Sequence, residues 1–473
     1  MDKLTFIVLF VSLLLAPLES LDRDLPDGLD FLAEQVHDLD VQDRLWDDGF
    51  ESEPLDCSSH GGKILVNVDS FGAAGDGLSD DTQAFVNAWG VACSASNSVL
   101  LVPENRIYLV RATRFKGPCA GKLTIQATFF FFLNGTIVAP DDNKTWDPKN
   151  PRTWLGFYNL SKASFEGLGV IDGSGSKWWA ASCKRNKSNV KKKSRNIIAL
   201  TIDSSSAVRV RGLTIRNGQQ MNFIISNSNS VRVSGVQVSA PGDSPNTDGI
   251  HISASTNVIL QNCKIGTGDD CVSIVSGSSG IKMKNIFCGP GHGISIGSLG
   301  KDNSTGIVEN VVLETAFIRN ATNGLRIKTW QGGNGHVTNV KYQNVVMEEV
   351  SNPIIIDQFY CDSPKSCQTQ TSAVEISNIV YRGITGTSAT KRAITFSCSD
   401  TVPCTGILLK DVNLQGANGS VETYCHSVYG YKRGLVQPPA DCLLPPNDKD
   451  TVRLRRNEAN DGDEGSHIIH TEL

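Results

Sequence analysis

The sequence predicts an all-β chain wound as a right-handed parallel β-helix with an N-terminal capping helix. Three observations carry this prediction. Short strings of Val, Ile and Leu recur at Val208–Ile215, Val231–Val238, Val258–Ile265, Ile281–Cys288, Val308–Leu313 and Val337–Tyr342, with starts 23, 27, 23, 27 and 29 residues apart. A second string follows in each period: Phe223–Ile225, Ile250–Ile252, Val272–Ile274, Ile294–Ile296, Leu325–Ile327 and Ile354–Ile356. Gly, Asn, Ser and Asp fill the gaps, as turns require, and no apolar 3.6-residue spacing runs through the middle of the chain. Several short strands per period stack as coils, each resting on the last at about 4.8 Å, so no strand inside the stack has a bare edge.

The elements follow in chain order. Residues 1–20 hold one Lys, the apolar run Leu4–Leu15 and then Ala16–Ser20, a pattern too short to span a bilayer and expected to be a cleaved secretory signal. Residues 21–63 are acidic, with Asp22, Asp24, Asp27, Asp30, Asp38, Asp40, Asp43, Asp47 and Asp48, and form a pro-segment or surface extension. Thr82–Ala92 places Phe85, Ala88, Trp89, Val91 and Ala92 at helical spacing, a helix that would cover the open end of the solenoid. Residues 64–445 form the β-helix domain, and residues 446–473 a flexible charged tail. Asparagines such as Asn227, Asn229 and Asn285 are expected to stack as hydrogen-bonded ladders between coils.

Composition agrees with export. The 473 residues carry a formal charge of −5, and no later segment resembles a spanning helix. Sequons occur at Asn134, Asn143, Asn159, Asn186, Asn303, Asn320 and Asn418, of which a few are expected to be glycosylated. Thirteen cysteines suit an oxidising compartment; the close pairs Cys361/Cys367 and Cys398/Cys404 look like small-loop disulfides, and the odd total leaves at least one thiol unpaired or joined between chains. No CxxC pair exists and His251 and His292 lack cysteine neighbours at ligand spacing, so zinc is not expected. Neither a cofactor nor a nucleic-acid or membrane partner is expected, and the protein should be a monomer.

The chemistry lies in three segments. Asp248, Asp270 and His292 are 22 residues apart, twice over, in Asn246–His251, Gly268–Val272 and Gly291–Ile294. Coils of that length stack all three on one face, and Asp269 joins them. Clustered carboxylates repel one another, which raises at least one pKa while another stays ionised. Inverting glycoside hydrolysis needs that inequality: a protonated acid at the leaving oxygen and a carboxylate holding water on the opposite face of the sugar. Further along, Arg326 and Lys328 share one strand face. They either balance the aspartates or bind a carboxylated sugar, and the second is the better reading, with a sugar-acid polymer as substrate. An insertion around Ser298–Gly306 accounts for the longer spacing from His292 to Arg326.

These blocks, Asn246-Thr247-Asp248, Gly268-Asp269-Asp270, Gly291-His292-Gly293 and Arg326-Ile327-Lys328, resemble in order and spacing the signature of the pectin-degrading glycosidases, the polygalacturonase family. The likeness runs from about Val66 to Cys442, and Phe71–Gly77 with Asp80-Asp81-Thr82 resembles its plant branch. Gly135–Pro140, and Gly169–Gly175 followed by Trp178-Trp179, are similar as well.

The resemblance implies a secreted, cell-wall enzyme that hydrolyses galacturonosyl linkages of pectin by single displacement. Asp269 would be the general acid, and Asp248 and Asp270 would position and deprotonate water. His292 would hold the site's proton inventory or bind substrate. Asn246, Arg326, Lys328 and Tyr360 would contact galacturonate. It also implies disulfides Cys271–Cys288, Cys361–Cys367, Cys398–Cys404 and Cys425–Cys442. The segment Cys183–Arg195, with seven basic residues, departs from the family; it is a solvated loop or a basic lip that draws in a polyanion. Two rivals stand beside this reading. A pectate lyase would need calcium and an arginine base, and a non-catalytic pectin-binding wall protein would have lost one of the three aspartates.

Overall fold

A computed structural model describes residues 63–120, 129–142, 146, 152–185, 197–362, 367–417 and 419–443. The signal sequence, all but the last residue of the acidic extension, the charged tail, most of the basic segment after Cys183 and the sequons at Asn143, Asn186 and Asn418 lie outside the described residues.

Among the described residues, every pairing between named strands is parallel, as coil-on-coil stacking requires. An eleven-stranded sheet runs through Thr113–Lys116, Thr153–Tyr158, Ile198–Asp203, Phe223–Ser226, Ile250–Ser253, Val272–Ile274, Ile294–Leu299, Asn323–Thr329, Asn352–Asp357, Arg392–Ser397 and Glu422–His426. Longer strands such as Thr256–Gly266, Ser278–Cys288, Thr305–Arg319 and Asn334–Val350 bend round the remaining faces in a nineteen-stranded sheet. The connections wind in the right-handed sense that governs parallel crossovers, which makes the molecule the β-helix predicted.

Side chains in register explain why the stack holds. Val208, Val231, Val258, Ile281, Val311, Val340, Ile379 and Ile407 pair from coil to coil, and all are buried. Each β-branched residue rests on the same kind of residue above and below, which suits a pleated, fully buried strand. Beside them a corner residue takes a left-handed φ in every coil: Asn257 at 54°, Gly280 at 65°, Asn310 and Asn339 at 56°, Asn378 at 56° and Gly406 at 64°. Asn and Gly tolerate that conformation, so from Asn257 onward the bend is written into the sequence at each turn, whereas Ala207 (φ 52°) and Ser230 (φ 57°) take it in the two coils before. The expected asparagine ladder is present: the Asn285 amide donates to Asn262 at 3.0 Å, and that of Asn339 to Asn310 at 3.2 Å. Asn227 donates instead to Asp203, at 2.9 Å.

The predicted cap is the helix Thr82–Ser94. It buries Phe85, Ala88, Trp89 and Ala92 over the first coils, while Val91 faces solvent. Trp89 rests on Phe115 and Phe157, at centroid distances of 5.0 and 5.5 Å. A disulfide that the sequence reading did not identify, Cys93–Cys119, ties the last turn of the helix to the loop after Thr113–Lys116. In front of the helix, buried Asp81 accepts the backbone N–H groups of Ala74 (2.6 Å) and Gly75 (3.2 Å), which fixes the glycine-rich turn. The other four expected disulfides are present. Among the described residues Cys183 and Cys263 are free thiols, the first exposed and the second buried.

Candidate active site

Pairing of Ile250 with Val272, and of Val272 with Ile294, fixes the site. Asp248, Asp270 and His292 each stand two residues ahead of those partners, on turns entering the eleven-stranded sheet, so they line up as their spacing implied. The turns approach closely: a side chain at Gly268 would collide with the Ser244 carbonyl at 2.0 Å, so glycine is required there. The Gly268 N–H donates to Thr247 Oγ1 at 3.0 Å, and Cys271–Cys288 anchors the turn from the other side.

The three aspartates have different surroundings. Asp270 is the most enclosed. It accepts Arg326 Nη2 at 2.5 Å and Ser295 Oγ at 2.8 Å on one oxygen, and Lys328 Nζ at 2.8 Å on the other. Asp269 Oδ1 accepts the Asp270 backbone N–H at 2.9 Å and faces His292 Nδ1 at 3.0 Å. Burial pushes the Asp269 carboxyl up. The His292 bond and charge, the Lys328 charge and the Asp270 N–H outweigh it and hold the group below its ordinary value. Asp248 accepts Ser273 Oγ at 2.9 Å. Burial, above all, raises its pKa, aided by the charges of Asp269 and Asp270, while His251 works in the opposite direction. Environment therefore makes chemically equal side chains unequal, the condition for dividing acid and base work among carboxyl groups.

The remaining expected residues gather here too. Asn246 reaches Asp269 Oδ2 at 3.5 Å from a left-handed turn with φ 55°. Arg326 and Lys328 share a face as predicted; their side chains are 12% and 10% exposed and both are committed to Asp270. There they balance the Asp270 charge, and a bound carboxylate would have to share them. Tyr360 packs edge-on against Trp330 at 5.5 Å, with Lys328 Nζ 5.4 Å from its ring centre. Burial and the nearby Asp362 push its phenol up to about 12, so it stays a hydrogen-bond donor at working pH. The insertion before Arg326 is the exposed turn Lys301–Asn303.

Three polar residues were missed as participants. His251, Ser273 and Ser295 are themselves 22 residues apart, three positions after Asp248, Asp270 and His292, and they pair in register on the floor of the site. The same spacing that revealed the acids would have revealed them. Asp269, Asp270 and His292 offer ligand atoms within 4.8 Å of one another. A cation there would have to displace Arg326 and Lys328 from Asp270, so this donor set does not fit a resident metal.

Comparison with known proteins gives the lineage. Residues 93–433 match the model for glycosyl hydrolases family 28. A polygalacturonase of Persea americana is 48% identical over 358 residues, covering 76% of this chain and 75% of its own. A probable polygalacturonase of Arabidopsis thaliana is 47% identical over 382 residues, covering 80% of this chain and 84% of its own. Among solved structures, an endo-xylogalacturonan hydrolase from Aspergillus tubingensis aligns with a TM-score of 0.66 at 22% identity, covering 81% of this chain and 98% of its own. A polygalacturonase from Erwinia carotovora aligns at 0.64 and 22% identity, covering 82% and 100%. These two concern the fold. The family match over most of the solenoid, with relatives near half identical across three quarters of the chain, shows that this protein belongs to glycosyl hydrolases family 28.

Proposed function

We propose that this glycoside hydrolase is a secreted, monomeric cell-wall enzyme that cleaves α-1,4-galacturonosyl linkages of pectin with inversion. The observation that carries this reading is the division of three neighbouring aspartates into different electrostatic settings beside two cations. Asp248 and Asp270 hold the attacking water and take its proton. Asp269, the most exposed of the three, protonates the glycosidic oxygen. Arg326, Lys328, Tyr360 and Asn246 bind galacturonate.

The acid role needs substrate. In the free site His292 and Lys328 keep Asp269 ionised. A galacturonate carboxylate drawn to Arg326 and Lys328 spends their charge on itself and dries the site. Both changes raise the Asp269 pKa toward the protonated form that donates to the leaving oxygen. Among the described residues no helix is long and apolar enough to cross a membrane.

Digestion of polygalacturonate, with and without chelator, tests the reading. The expected products are saturated oligogalacturonides or galacturonate, with the rate unchanged by chelator. Asp269→Asn should lower kcat by roughly a thousandfold and leave the melting temperature nearly unchanged. An unsaturated product, or wild-type turnover from Asp269→Asn, would refute the assignment.

A further inference from the structure

Ser273 stands between two titratable groups. Its hydroxyl donates to Asp248 Oδ2 at 2.9 Å and lies 2.7 Å from His251 Nδ1, which is 3.8 Å from that same oxygen. A hydroxyl has one proton. With that proton committed to Asp248, Nδ1 must carry a hydrogen and donate to Ser273 Oγ. One coil on, Ser295 makes the matching bond to Asp270 at 2.8 Å, but the donor behind it is Arg326 Nε at 2.9 Å. The two serines do the same work for two aspartates with different support. A guanidinium keeps its charge at every working pH, and an imidazole does not.

We propose that His251, acting through Ser273, is a positioning residue that fixes the rotation of the Asp248 carboxyl group and opposes its protonation. The register isolates this contact. The strand before pairs apolar Ile224 with His251 and the strand after pairs Ser273, so the ion-pair partner of the ring is Asp248 on its own turn. Asp248 in turn faces the charges of Asp269 and Asp270, which press it toward protonation, and the His251 side opposes them. His292 serves a separate carboxyl, Asp269. The site thus gives two of its aspartates one imidazole each, by direct contact at Asp269 and through a serine at Asp248. The inference rests on Asp248 acting as a base in the hydrolysis proposed above.

The test is the pH profile of kcat/KM on polygalacturonate for the wild type, His251→Phe, Ser273→Ala and Ser273→Thr. Loss of the donor chain raises the Asp248 pKa; because free Asp269 lies below and Asp248 above the ordinary value, Asp248 sets the alkaline limb of kcat/KM, which moves to higher pH by about one unit in the first two variants. Activity below the limb then falls about tenfold, while KM stays within about twofold and the rates converge at higher pH. Ser273→Thr keeps the hydroxyl and the wild-type limb. An unmoved limb in Ser273→Ala, or an equal loss at every pH, overturns the proposal. Ser273→Ala removes one oxygen atom, so it decides the matter even if His251→Phe fails to fold. Asp248→Asn separates the two claims: wild-type rates from that variant would refute the base itself, whereas an inactive Asp248→Asn beside an unmoved Ser273→Ala limb refutes only the relay.

Discussion

Two columns of this solenoid have the same geometry and opposite character. In the core, Val208, Val231, Val258, Ile281, Val311, Val340, Ile379 and Ile407 repeat one kind of residue coil after coil. On the outer face of the eleven-stranded sheet, the register runs Thr201, Ile224, His251, Ser273, Ser295, Arg326, Ile355, Thr395, and of these only Ser273 and Ser295 repeat from one coil to the next. Stacking asks the same thing of every coil, so the core column is periodic. Chemistry asks a different thing of each coil, so the floor of the site is not. In a solenoid, function is found where the period is kept and the residue type changes.

Asp270→Asn breaks the functional column hardest. It leaves Arg326 and Lys328 buried without their shared carboxylate, and loss of one partner of a buried ion pair costs about 3–5 kcal/mol. Chemical denaturation should show a loss of that size, alongside abolished turnover. The core column should break differently. Ile281→Ala should cost about 3 kcal/mol in the same denaturation experiment, since a buried isoleucine leaves a cavity, yet keep kcat and KM near wild type below its unfolding transition.

A pH measurement sharpens the contrast within the site. Because His292 and Lys328 hold free Asp269 below its ordinary value and below Asp248, the acid limb of kcat/KM, which reports the free enzyme, should lie at lower pH than the acid limb of kcat, which reports the complex. Coincident limbs would show that substrate does not raise the Asp269 pKa. The smallest effect belongs to the corners. Asn339 has φ 56°, so Asn339→Ala should cost about 1 kcal/mol, and Asn339→Gly less, without a kinetic consequence.

Much of this was legible in the sequence because β-helix coils turn spatial adjacency into fixed spacing. The 22-residue steps between Asp248, Asp270 and His292 are adjacency written in one dimension. The capping helix was visible because Phe85, Ala88, Trp89 and Ala92 keep a second period. Cys93–Cys119 was not: one cysteine ends a helix, the other sits in an irregular loop, and no period connects them. The burial of Arg326 and Lys328 was equally hidden, because a cation pair on one strand face reads the same whether it meets solvent or a carboxylate. Ser273 and Ser295 were overlooked for a chemical reason. A strand serine stands out by its 22-residue spacing only once the aspartate one coil back is placed beside it.

In the proposed mechanism Asp269 protonates the leaving oxygen while a water held by Asp248 and Asp270 attacks from the opposite face. Proton NMR of the anomeric signals in the first moments of polygalacturonate cleavage tests it most directly. The new reducing ends should appear first as the β-anomer and only then mutarotate. Initial appearance of the α-anomer would mean retention through a covalent intermediate, and the assignment of the three aspartates would be wrong.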